Sequence, residues 1–261
     1  MTPDRLGVRR LGWVKRALIS RRLSVGVTRR RAAVLALVAA VPLAVGYGLV
    51  PRETGPDDCS VGTTRHVLFH VPGERLRGIM VGSGPIGVVL ANESTNYECQ
   101  WWPLPRYLAA RGYRVVAFNY GGADKSLEVQ AAARYLRSHG ARRLVLIGAS
   151  IGGAIVIDAA IHLHPAPVAV ISLSAVPEAT GYPFPRDARL LQTPIFQIGS
   201  TQDPHTRDGR DTRALYRSSP SPAKRLLLIP GTTHGVHLVN REAGNRVRAA
   251  MVAFIRTHTR G

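Results

Sequence analysis

The chain has 261 residues, 45% of them hydrophobic, and carries 35 Lys and Arg against 16 Asp and Glu, a formal charge of +19. That apolar share excludes a disordered chain, and the length allows one domain of roughly 200 residues with additional segments. The charge invites a nucleic-acid reading, but residues 1–31 hold ten Lys and Arg with Asp4 as their single acid, so about half of the excess belongs to a short tail and argues against nucleic acid as the partner.

Residues 32–51, AAVLALVAAVPLAVGYGLVP, carry no charge over twenty positions. As a helix they would span roughly 30 Å, enough to cross the hydrocarbon of a bilayer. Arg29, Arg30 and Arg31 precede this run, and Arg52, Glu53, Asp57 and Asp58 follow it. The arginine bias predicts a single-pass cell-membrane anchor with a cytoplasmic basic tail and everything after residue 52 extracytoplasmic. The alternative is a protein secreted after cleavage of a signal, although no A-x-A site follows the apolar core. Thr28 to Val34 also resembles a twin-arginine export signal.

Residues 52–63, rich in Pro, Gly, Asp and Thr, read as a linker to a domain over 64–261. Cys59 and Cys99, the two cysteines of the chain, both fall in the exported part, where a disulfide between them and two unpaired thiols are both open.

Eight short apolar runs follow the linker: HVLFHV, RGIMVG, IGVVLA, YRVVAFN, RLVLIG, VAVISL, PIFQIG and RLLLIP. Helical patterns lie near Trp101 to Arg111, Leu127 to His139, Ile151 to His162 and Arg241 to His258. Two opening strands and then βα alternation predict an α/β fold, a mostly parallel sheet of about eight strands covered by helices on both faces. Only residues 174–194 separate the sixth and seventh runs, too few for a sizeable lid domain.

Such sheets bind ligands at the carboxyl ends of their strands. After RLVLIG come Ala149, Ser150, Ile151 and Gly152, which with Gly148 make G-x-S-x-G on a strand-to-helix turn. After PIFQIG comes S-T-Q-D-P with Asp203, and after RLLLIP comes G-T-T-H-G with His234. The order Ser150, Asp203, His234, each residue after its own strand, resembles the α/β-hydrolase family, particularly its small esterase and dienelactone-hydrolase-like serine members, over about residues 64–261. GVVLANESTNYECQWWPLPRYLAARGYRVVAFNYGG is similar to the segment joining that family's third and fourth strands.

The resemblance implies a serine hydrolase with Ser150 as nucleophile, His234 as base and Asp203 as the acid orienting it. The oxyanion hole would be the N–H of Ile151 with a second N–H from Glu93 or Ser94. No cofactor is expected, and no Cys/His spacing suits a metal. The implied substrate is an acyl ester, thioester or amide on a lipid, an envelope polymer or a small molecule. Haloalkane- or epoxide-type chemistry is disfavoured, since those relatives carry Asp at the elbow.

His205 and His237 are rival bases, and Asp158, Asp208 and Asp211 rival acids, each off the motif positions. Where many relatives have His, often followed by Gly, this chain has Asn92 and Glu93. A carboxylate facing the developing oxyanion would oppose catalysis unless it turns to solvent. This departure supports the alternative function, an inactive hydrolase-fold binding or scaffold protein at the membrane surface.

Overall fold

A computed structural model describes residue 59 and residues 64–179, 188–241 and 244–259. The basic tail, the apolar run 32–51 and all of the linker but Cys59 lie outside the described residues. Among the described residues, no helix is long and apolar enough to cross a membrane.

The sheet has eight strands in the order β1-β2-β4-β3-β5-β6-β7-β8. They are β1 (Arg65–Val71), β2 (Glu74–Val81), β3 (Ile86–Ala91), β4 (Tyr113–Phe118), β5 (Arg143–Ala149), β6 (Ala169–Leu173), β7 (Ile195–Ser200) and β8 (Lys224–Ile229). β1 and β2 form an antiparallel hairpin, β2 pairs antiparallel with β4, and every pair from there to β8 is parallel. This is the α/β-hydrolase fold. Strand alternation therefore starts one strand later than the sequence suggests, because β2 runs into β3 without a helix and β4 inserts between them.

β3 to β7 read as continuous Val/Ile/Leu runs because both of their faces are covered. Alternate residues feed two cores. Val89, Val116, Leu146 and Val170 pack under α2 (Lys125–Ser138) and α3 (Ile151–His162). Val88, Val115, Ile147, Ile171 and Phe196 pack under α1 (Leu104–Ala109) and α6 (Gly244–Thr259). Beside these stand α4 (Arg210–Ser218) and the single turn α5 (His237–Asn240).

Cys59 and Cys99 form a disulfide with their Cα atoms 5.5 Å apart, and both are buried in the core under α1 and α6. The bridge fastens the start of the domain to the 3-10 turn Glu98–Trp101 that follows β3.

Candidate active site

Ser150 stands between the last residue of β5 and the first of α3, at φ 53° and ψ −119°. A serine held there stores strain on the order of 1–3 kcal/mol, which the surroundings must over-determine. They do so from both sides: the Ser150 N–H donates to Leu173 O at 2.9 Å, and the Ser150 carbonyl accepts the N–H groups of Gly153 at 3.0 Å and Val176 at 3.2 Å. The glycines make room for this turn. A Cβ on Gly148 would collide with the Gly152 backbone, and one on Gly152 would collide with the carbonyl oxygens of Ala91 and Asn92. The turn thus lies hard against the end of β3, and the Ile151 N–H opens the first turn of α3.

Asp203 caps the 3-10 turn Pro204–Thr206 after β7 and is fully buried. Its Oδ1 accepts the His205 N–H at 3.0 Å, and its Oδ2 meets His234 Nδ1 at 2.7 Å. Burial acts to raise its pKa, but the hydrogen bond and charge of His234 and the His205 N–H outweigh it, and the carboxyl lies below its ordinary range. An ionised Asp203 requires the proton on Nδ1 and leaves Nε2 of His234 as the free nitrogen. The two loops are also joined by the Gln202 N–H to Gly231 O at 2.9 Å and by the Ser200 hydroxyl to Thr233 O at 2.6 Å.

Glu93 does not turn to solvent and does not lie idle, as the sequence left open. Its Oε1 accepts the Val236 N–H at 2.7 Å and fills the space a side chain at Gly235 would need. Burial is the main cause that holds its pKa above the usual carboxylate value, against the lowering pull of the Val236 N–H and His234, while Asp203 adds to the rise. This contact locates the histidine loop. β8 and β3 are separated in the sheet by β5, β6 and β7, so a loop that leaves β8 and touches Glu93 after β3 must cross the strand ends where Ser150 stands.

Asn92 is buried and acts as a pin. Its amide donates to Phe118 O at 2.7 Å, its Oδ1 accepts the Trp101 indole N–H at 2.9 Å, and its carbonyl accepts the Tyr120 hydroxyl at 3.1 Å. Ser94, the other candidate second donor, is exposed on the same loop. The loop folds back on itself through the Asn96 N–H to Glu93 O at 3.1 Å.

The rival residues are engaged otherwise. Asp158 faces His162 one turn along α3 at 3.6 Å, Asp211 holds Arg207, and Asp208 faces Arg210 at 3.9 Å. His205 lies beside His234, with ring centroids 4.6 Å apart and planes tilted by 50°, but meets Asp203 through its backbone. His237 starts α5, three residues beyond His234. Among the described residues, no group of three or more His, Cys, Asp or Glu could hold a metal ion. Sequence reasoning passed over the partners of Glu93, and the repeated glycine at Gly235, with φ 51°, was the signal available for them.

No protein-family model matches the chain. It is 28% identical to the uncharacterised protein YfhR of Escherichia coli K12 over 254 aligned positions, covering 82% of this chain and 87% of that one. Among solved structures it is similar to the Pyrococcus furiosus esterase Pf2001, with a TM-score of 0.64 at 14% identity over 75% of this chain and 91% of that one. The esterase domain of a Rhodothermus marinus protein gives a TM-score of 0.63 at 18% identity over 76% and 99% of the two chains. Dienelactone hydrolase from Anabaena variabilis gives 0.60 at 19% identity over 76% and 100%.

Proposed function

We propose that the chain is a serine hydrolase of acyl esters, working through an acyl-enzyme formed on Ser150. The observation that carries this reading is the buried Asp203 fixed to His234 Nδ1 at 2.7 Å, on a loop that reaches from β8 to Glu93 across the strand ends where Ser150 stands. In this reading Nε2 of His234 takes the Ser150 proton as Oγ attacks the acyl carbon. Asp203 stabilises the imidazolium, which then gives the proton to the leaving alcohol, and water repeats the sequence to release the acid. The tetrahedral oxyanion is held by the N–H of Ile151 and one from the loop after β3, at Glu93 or Ser94. Likeness to the Pyrococcus furiosus esterase, and to the monoacylglycerol lipase of Paleococcus ferrophilus, supports an ester over an amide.

The apolar run 32–51, flanked by arginines before it and acids after it, supports a membrane anchor with the hydrolase domain extracytoplasmic. Protease added to intact cells should then digest the domain, and full protection until lysis would reverse the topology. An inactive binding protein had its main support in Asn92 and Glu93, and the pinning and bridging contacts of these residues are compatible with a working oxyanion loop. Hydrolysis of short p-nitrophenyl esters tests the activity. Ser150→Ala and His234→Ala should each lower kcat at least about 10³-fold, with little further loss in the double variant, because triad members act as a unit. Additive losses or an active Ser150→Ala protein would reject the mechanism.

A further inference from the structure

We propose that Glu93 is a positioning residue, clamping the loop after β3 onto the loop that carries His234 and setting the charge that His234 experiences. The proposal rests on the serine-hydrolase reading for its catalytic meaning, but its geometry stands apart from it. The Glu93 carboxylate bridges 143 residues of sequence to the Val236 N–H, two residues after His234. Gly235 between them has φ 51° and no room for a Cβ, because Glu93 Oε1 occupies that place. The fit is reciprocal: the backbone there is shaped to receive a carboxylate.

The titratable groups that face Glu93 are His234 and Asp203, and His234 in turn faces Asp203 and the ring of His205, 4.6 Å away between centroids. Against the first the carboxylate is attractive, favouring the imidazolium that forms when the base accepts a proton; against the second it is repulsive. A residue on the loop after β3 is thus coupled to the charge on the histidine. It also explains why a carboxylate is tolerated here: its negative end is bound by the Val236 N–H of the histidine loop.

The test compares Glu93→Gln, which keeps an acceptor for Val236 and the packing on Gly235, with Glu93→Ala, which keeps neither. NMR titration of the His234 ring, independent of any substrate, should give a lower midpoint in Glu93→Gln than in the wild type, since the removed charge favours the protonated ring. In ester hydrolysis the acid limb of kcat/KM should move down with it. Glu93→Ala should lose about 10- to 100-fold in kcat with KM changed less than about threefold, and Glu93→Gln should recover most of that loss. Gly235→Ala should damage the wild type more than it damages Glu93→Ala, because only the first has a carboxylate to displace. An unchanged His234 midpoint in Glu93→Gln, or wild-type kcat in Glu93→Ala, overturns the proposal. If the wild type cleaves no ester while the midpoint still shifts, the clamp stands and the hydrolase reading falls.

Discussion

At the scale of single residues, the site is held by side chains whose work is to satisfy buried backbone. Asn92 shows this most plainly, since its side-chain amide answers a strand carbonyl and an indole N–H while its main-chain carbonyl accepts a tyrosine hydroxyl. Asn92→Ala leaves Trp101 Nε1 and Phe118 O buried without partners, and about 2–4 kcal/mol of stability should be lost, read as a fall in the denaturation midpoint at unchanged m-value. Stability within about 0.5 kcal/mol of wild type would mean that the pin is dispensable. Asp203 adds a pH dependence. Its folded pKa is depressed, so its contribution is fully present above the unfolded value of about 3.9 and is lost as pH falls through the folded value. His234→Ala removes the main partner that depresses it, and the acid-unfolding midpoint should rise.

Elements place these residues, and their legibility differed for physical reasons. β5, the Ser150 turn and α3 were readable because a buried strand and a small-residue helix leave a local pattern around the serine. α4 was not anticipated, because RDTRALYRS offers one buried leucine and relies on buried Asp211 and Thr212 for the rest of its inner face. Asn92 and Glu93 looked like departures from a pattern, since their partners lie on other strands and loops and no local spacing encodes them. The insertion of β4 between β2 and β3 is likewise a pairing choice invisible in chain order. At this scale Gly152→Ala is informative. Its Cβ would strike the Ala91 and Asn92 carbonyls and push α3 off the loop after β3, so kcat should fall at least about 10-fold with the fold retained by circular dichroism. An unaffected kcat would show that these two segments need not touch.

For the whole molecule, the disulfide joins a linker residue to the segment between β3 and α1 across 40 positions. Closing a loop of that length restricts the unfolded chain, worth about 2–4 kcal/mol. Replacing both Cys59 and Cys99 by Ser in the protein should lower its unfolding free energy by that amount and leave Ser150 reactive, because the bridge lies in the core under α1 and α6 and takes no part in the Asp203–His234 hydrogen bond. Loss of reactivity in a folded double variant would tie the bridge to the site.

The central claim, that Ser150 is a nucleophile activated by His234, is tested most directly by labelling the full chain with a fluorophosphonate and mapping the modified peptide by mass spectrometry. One label per chain is expected, on Ser150, absent from Ser150→Ala and slowed at least about 10²-fold in His234→Ala. A wild-type protein that is folded yet takes no label, or takes it on another residue, would contradict the account.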